Sequence, residues 1–380
     1  MQQMINSSFR NPEDVKELCH AIHRITTRSW NIMEVCGGQT HALAQYGIED
    51  MLPQQIRLIH GPGCPVCVTP VSVIDNAIRL SMQPGVCLCT FGDMMRVPGT
   101  LGDLQSAKSR GGYVKMFYSP LDALRFAAEN PHLQVVFLAI GFETALPMYA
   151  LVLQTACQHR IKNFSLLPAL VSVLPAMEAL LSDPENVIDG FLAAGHVCAV
   201  TGIREYESFS RKWQTPVAVT GFEPSDLLYG ILWCVRRLEA KQPGVDNAYS
   251  RVVELSGNEQ ALRCIKQVFE RSDQEWRGLG LLKESGFKIN EAYKQYDAVK
   301  RFQLKQEQSV PDRCQAGKIL SGKISPHDCP LFGQACTPEH PLGAPMVSSE
   351  GTCAAYYRYK RNSYDRNPIK AGLSVTHYPV

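Results

Sequence analysis

The stretch VVFLAIGFET, residues 135–144, decides the fold. Its first six residues are all apolar. Successive side chains of a strand point to opposite sides, so a strand built from them is hydrophobic on both faces. Such a strand sits inside a sheet covered by helices on both sides, which is the setting of parallel strands. Gly141 then ends the run. Glu143 follows at the carboxyl end of the strand, where open α/β sheets bind ligands, or else serves as an acid at a helix N-cap. The amphipathic stretch TALPMYALVLQTACQHR comes next and reads as a helix.

Working outward, the same texture recurs. Strand candidates on the amino side are IMEV (32–35), IRLIHG (56–61), VCLCTF (86–91) and YVKMFY (113–118). On the carboxyl side they are FSLLPALVSV (164–173), FLAAGHVCAV (191–200) and PVAVTGF (216–222), the last running into GFEP (221–224), an echo of GFET. Helical segments such as VSVIDNAIRLSM and PLDALRFAAEN separate them. The fold class expected is therefore α/β, with two doubly wound parallel-sheet domains, at 30–130 and 131–240. A third, mostly helical and loop-rich domain is expected from residues 1–29 together with 241–380. Within it, 245–305 reads as polar helices, and 306–353 is rich in Pro, Gly and Cys with little periodicity. An irregular stretch of that length inside a compact protein needs something to hold it, and a metal centre would do so.

Composition narrows the function. The 380 residues carry 38 basic and 36 acidic side chains, a net charge of +2, which gives no electrostatic reason to expect nucleic acid or a membrane surface. The surplus of basic residues after position 300 is what a solvated surface would carry. The opening MQQMINSSFRNPEDVKELCH has no charged-then-apolar signal pattern, and no apolar run approaches the roughly 18 residues of a membrane span. A soluble, cytoplasmic protein is expected.

Fourteen cysteines are many for such a chain, and a secreted disulfide scaffold would be short. Cys19, Cys87, Cys89, Cys157, Cys198, Cys234 and Cys264 fall in apolar strands or helices and read as core, where free Cys packs as a small hydrophobe. Cys314, Cys329, Cys336 and Cys353 have the spacing C-x14-C-x6-C-x16-C on loop-rich sequence. Four thiols so placed can ligate Zn²⁺ or a [4Fe-4S] cluster, and spacing alone does not choose between them.

Cys36, Cys64 and Cys67 form the remaining group. Cys36 opens CGGQTHAL directly after the first strand, at a helix start whose dipole favours thiolate. His41, five residues on, is placed to share a metal or orient a proton, or is an ordinary hydrogen-bonded histidine. Cys64 and Cys67 follow the second strand in GPGCPVC and should open at the same sheet edge. Glycines and prolines there stiffen a loop that presents a C-x2-C redox pair.

Together these motifs resemble the HypD family of hydrogenase maturation factors. The resemblance rests on CGGQTH (36–41), HGPGCPVC (60–67), TFGDMMRVPG (90–99), GFET (141–144), GHV (195–197), GFEP (221–224) and EWRGLG (275–280), followed by CPLFG (329–333) and SSEGTCAA (348–355). It covers nearly the whole chain from about residue 11. It implies a part in building the Fe(CN)2CO group of [NiFe] hydrogenases, with a HypC-type small chaperone, a HypE-type cyanide donor and, indirectly, the hydrogenase large subunit. It also implies a [4Fe-4S] cluster on Cys314, Cys329, Cys336 and Cys353, a redox-active pair at Cys64 and Cys67, and transient Fe(II) carrying CN and CO ligands held by Cys36 with His41 beside it. Asp93, Glu143, His196 and Glu350 fall in family motifs and are expected to line the site. One departure is Ala145, where the family pattern is GFETT. Two other readings stand beside this one: an iron–sulfur-dependent thiol–disulfide reductase, and a zinc-stabilised scaffold. Whether such an assembly scaffold counts as an enzyme stays open.

Overall fold

The computed structural model describes residues 9–305 and 313–360. The parts of the expected third domain at 1–8, 306–312 and 361–380 lie outside the described residues. All eight expected strands form: β1 (Trp30–Glu34), β2 (Ile56–His60), β3 (Val86–Thr90), β4 (Val114–Met116), β5 (Gln134–Gly141), β6 (Phe164–Val171), β7 (Gly190–Ala194) and β8 (Pro216–Thr220). Both faces of β5 are apolar, as read: Val135, Phe137 and Ala139 enter one core, and Val136, Leu138 and Ile140 enter another. In β1, Ile32 and Met33 likewise point into opposite cores.

The strands form two sheets, but not in sequence halves. One sheet has the order β2-β1-β7-β8-β9, with β9 at Gly244–Asn247, and all its pairings are parallel. The other has the order β10-β11-β6-β5-β3-β4. In it β3 to β6 run parallel, and the hairpin of β10 (Phe269–Trp276) and β11 (Gly280–Ile289) is added antiparallel to β6. The α/β class thus holds, whereas the expected cut near residue 130 does not describe the sheets. The chain leaves the first sheet after β2, builds β3 to β6, and returns for β7 to β9. Strand texture reports burial on two faces. It does not report which neighbour a strand pairs with, and that is where the sequential division failed.

Three other expectations are corrected. The run at 191–200 is strand only to Ala194, and Gly195–Thr201 is a helix. An apolar run of that length reads the same either way by periodicity. Residues 245–305 are not simply polar helices: they contribute β9, the β10–β11 hairpin and the Glu259–Val268 helix. β10 is a sheet edge burying little besides Phe269 and Trp276, so its sequence carries the polar texture of a solvated helix. The opening helix Pro12–Ile25, capped by the Asn11 side chain, buries Ile22 against the first sheet's core and belongs there, not to a third domain.

What is left as a separate element is 313–360, made of the short helix Ala316–Leu320, turns, and the helix Thr352–Tyr359. It lies across both sheets. Arg57 of β2 donates to the Gly322 carbonyl (2.7 Å), and Arg96 donates to the carbonyls of Pro338 (2.8 Å) and Val347 (3.2 Å). Among the described residues no helix is long and apolar enough to cross a membrane.

Candidate functional site

A doubly wound sheet has a switch point, where strands on either side leave in opposite directions and a crevice opens at their carboxyl ends. In the first sheet this point lies between β1 and β7, so Cys36 and His196 face each other there. In the second sheet it lies between β3 and β5, at Phe91–Asp93 and Gly141–Phe142. Both switch points open onto one cavity of about 940 Å³. Cys36, His41, Asp93, His196 and Glu350 all line it, which brings five expected site residues together. Glu143 is not among them. It is buried behind the wall, where Oε1 accepts from the Ser172 hydroxyl (2.6 Å) and the Val173 N–H (3.1 Å) at the start of the helix Val173–Leu181. The GFET acid therefore supports a helix start, though not that of the helix following it in sequence. Its echo Glu223 does sit on the cavity rim and pairs with Arg10.

The turn bearing Cys36 is built around a buried carboxylate that sequence reading passed over. Glu34 closes β1 at 1% exposure, and its Oε2 accepts the Cys36 N–H at 2.8 Å. Its Oε1 accepts from the Thr40 hydroxyl and faces His60 Nδ1 at 2.8 Å. Gln39, fully buried, donates to Thr220 Oγ1 (2.7 Å) and the Ala193 carbonyl (3.2 Å), tying the turn across the switch point to β7 and β8. The signal for Glu34 and His60 was an acid and a histidine directly following the apolar pairs Ile32–Met33 and Leu58–Ile59. The glycines of GPGCPVC serve close approach. A Cβ on Gly63 would stand 2.1 Å from the Cys36 nitrogen, and the Gly63 carbonyl accepts from the Gly37 N–H at 3.1 Å.

Cys36 Sγ lies 3.8 Å from His196 Nδ1. Burial drives the Cys36 thiol well above the ordinary thiol range, and the carboxylates of Glu34 and Glu350 add to it. Backbone N–H groups of Gln39 and Gly38 oppose this without prevailing. The thiolate expected from the helix dipole is therefore not the resting state: desolvation outweighs the dipole. Burial also lowers His196, so the pair rests as thiol and neutral imidazole. A cation in the cavity would reverse that balance. Glu350 is itself raised, first by burial and then by Asp93, with His41 opposing.

Cys64 and Cys67 lie directly behind this wall, 3% and 0% exposed, with their thiols close enough for Cys64 to oppose the ionisation of Cys67. Burial pushes Cys67 far up, with added repulsion from Cys64, Cys353 and Glu350. The pair thus stands between the Cys36 turn and the C-terminal cysteines. His41 does not offer a free nitrogen. Nδ1 faces the Ser349 carbonyl at 3.2 Å and so carries the proton, while Nε2 accepts from the Tyr359 hydroxyl at 3.3 Å. The residue joins the Gly37–Gln45 helix to the C-terminal segment, which is the ordinary of the two roles expected for it.

Three of the four C-terminal thiols, Cys329, Cys336 and Cys353, lie in an apolar cluster that includes Ile319, Met346 and Phe332, and Cys314 packs against the neighbouring core of the first sheet. Burial raises Cys353, and Cys314, Cys336 and Cys329 each raise it further. Gly343 lets the chain pass beside Cys314, since a Cβ there would stand 2.1 Å from the Cys314 sulfur. Among the described residues no three His, Cys, Asp or Glu side chains stand close enough to hold a single metal ion. Of the seven cysteines read as core, five are buried, Cys264 is half-buried and Cys157 is exposed.

The profile of a family described as "HypD: Hydrogenase formation hypA family" matches residues 13–360. The hydrogenase maturation factor HypD of Escherichia coli K12 is 44% identical over 362 residues, covering 93% of this chain and 97% of that protein. HypD2 of Bradyrhizobium diazoefficiens is 46% identical, covering 93% and 96%, and HypD of Azotobacter vinelandii is 46% identical, covering 88% and 90%. Similarity at this level along nearly the full length of both partners establishes that the chain belongs to the HypD family.

Proposed function

We propose that this chain serves hydrogenase maturation by holding ferrous iron on Cys36 while cyanide and carbonyl ligands are placed on it. The observation that carries the reading is the single cavity fed by both switch points, with Cys36 beside His196 on one wall and the acids Asp93 and Glu350 at the same opening. A soft sulfur donor suits the electron-rich iron that cyanide and carbonyl favour. His196, neutral at rest, takes the Cys36 proton as iron displaces it, and the two acids draw the cation in. A HypC-type chaperone would bring a second donor to the mouth of this cavity, and a HypE-type donor would present cyanide there. The hydrogenase large subunit receives the product at a later step.

Cys314, Cys329, Cys336 and Cys353 fit a [4Fe-4S] cluster by their chemistry. They are four soft donors in largely apolar surroundings, three of them close enough to the fourth, Cys353, to oppose its ionisation, and a cation-bearing group among them would stabilise the thiolates that bind it. A cubane also spreads its thiolates more widely than one ion does, which suits four thiols that are near one another but not drawn onto a point. When bound, such a cluster supplies one-electron redox chemistry. Cys64 and Cys67, between the two regions, hold or release an electron pair as disulfide or dithiol. Their burial disfavours reduction of a protein disulfide, which could not reach them.

The test is metal and sulfide content of anaerobically purified full chain, then ferrous iron uptake with a HypC-type partner. About four iron and four acid-labile sulfide are expected, with one further iron that Cys36→Ala abolishes. Zinc without sulfide would restore the scaffold reading, and uptake unchanged in Cys36→Ala would remove Cys36 from its role.

A further inference from the structure

His60 ends β2 at 4% exposure, between two acids and a phenol. Nδ1 lies 2.8 Å from Glu34 Oε1, and Nε2 lies 2.9 Å from Glu49 Oε1 and 3.1 Å from the Tyr356 hydroxyl. The imidazole and the Tyr356 ring meet edge to face at 5.3 Å. Glu34 is the carboxylate that accepts the Cys36 N–H. Tyr356 lies on the helix that starts at Thr352, three residues beyond Cys353. At the far side Lys360 pairs with Glu49. One connected set of hydrogen bonds therefore runs from the Cys36 amide, through Glu34 and His60, to the helix carrying Cys353.

We propose that His60 is a positioning residue that fixes the Cys36 turn relative to the Cys353 helix, and thereby sets the geometry with which Cys36 presents its sulfur to a metal ion. This rests on the reading of Cys36 as the iron anchor. A buried histidine between two carboxylates is a costly way to obtain stability alone, because apolar side chains of the same volume would serve as well or better. What the polar arrangement adds is direction: each bond fixes an angle as well as a distance, and both Glu34 oxygens are engaged, one by the Cys36 amide and the other by Thr40 and His60. His60 touches neither sulfur, so its effect on metal must pass through Glu34 on one side and Tyr356 on the other. Burial alone would discharge the imidazole, but the bonds to Glu34 and Glu49 outweigh it and hold its pKa at about 9. The linkage is therefore intact across neutral pH.

Cobalt(II) added to the anaerobic full chain is the probe, because its visible d–d bands report the geometry around it. The signal read is the difference between each protein and its Cys36→Ala counterpart, which removes cobalt bound elsewhere. In His60→Gln the Cys36-dependent bands are expected to shift and cobalt to bind about tenfold more weakly, the loss typical of an outer-shell partner. Tyr356→Phe removes only the hydroxyl and keeps the ring, so it should move the bands the same way by less. Bands and affinity in both variants matching the wild type, whatever happens to the melting temperature, would overturn the proposal and leave His60 a stabilising residue only. If His60→Gln does not fold, Tyr356→Phe decides alone. A wild-type protein with no Cys36-dependent band would instead overturn the iron-anchor reading, and the proposal with it.

Discussion

The buried histidine makes a quantitative statement about pH. In the folded chain His60 holds its proton to about pH 9, against about 6.5 when unfolded. Between those values the folded state keeps a proton that the unfolded state has released, so stability falls as pH rises. The contribution is complete below about 6.5 and is gone once pH has passed through 9. The gap is worth about 3 kcal/mol. Glu49 shares the His60 interaction and adds one of its own with Lys360. Burial works to raise it, but His60 and Lys360 prevail and hold it at about 2. That stabilisation is present above about 4.5 and is lost as pH falls through 2, and because the His60–Glu49 interaction contributes to both shifts the two are not added.

The perturbation that isolates this is His60→Gln, read by urea unfolding of anaerobic full chain at pH 6.5, 8 and 9.5. At pH 6.5 the variant leaves Glu34 without a cationic partner and Glu49 with Lys360 alone, and should cost about 3–5 kcal/mol. At pH 9.5 the wild-type imidazole has itself lost the proton, so the gap between the two proteins should shrink by about 3 kcal/mol. Thiol ionisations occur in both chains and cancel in the comparison. A gap constant to within about 0.5 kcal/mol across the three pH values would show that His60 is not charged in the folded protein, and the argument from its two acids would fail.

Three further outcomes follow from packing and from the thiols. Gly63→Ala sets a Cβ 2.1 Å from the Cys36 nitrogen and 2.3 Å from its Cα, backbone that cannot swing aside, so a loss of about 3 kcal/mol or more is expected in the urea midpoint. Tyr149→Phe removes a fully buried hydroxyl that donates to the Ile140 carbonyl at 2.9 Å, which should cost about 1–2 kcal/mol by thermal melting and leave cobalt binding unchanged. Cys157→Ser, at an exposed thiol, should change stability by less than about 0.5 kcal/mol and leave sulfide content unchanged, whereas Cys353→Ser should abolish acid-labile sulfide.

What the sequence made legible follows from what each signal measures. Strands apolar on both faces, such as β5, announce parallel sheets because burial on two sides leaves no room for polar alternation. Pairing leaves no such trace: nothing local in β1 shows that its neighbour β7 lies some 160 residues away. The reactive motifs were visible because glycine and proline beside cysteine are uncommon outside constrained loops. Glu34, His60 and Tyr356 were missed because a polar residue ending a strand, or a tyrosine in a short helix, looks ordinary until its partners are known. Glu143 misled for the converse reason: its motif marks a strand end, but the helix it supports is Val173–Leu181, from another part of the chain.

The order in which the chain visits the sheets bears on how the cavity works. It crosses between them after β2, after β6 and after β9, and beside each crossing the chain is bonded to elements of the first sheet. At the first, the Gly63 carbonyl accepts from Gly37. At the second, Asp189 Oδ2 accepts from the Asn31 N–H at 2.7 Å, and the Asp189 N–H returns a bond to the Asn31 carbonyl. At the third, Gly257 packs against the backbone of Gly202, and Asn258 donates to Val200. Lobes joined three times have less freedom to move apart than lobes joined by one linker, because the backbone angles at all three crossings must change together. The 313–360 segment adds further bonds to both sheets through Arg57 and Arg96. Cys36, His196, Asp93 and Glu350 already converge on the cavity, so the site spends little of its binding energy on bringing these side chains together.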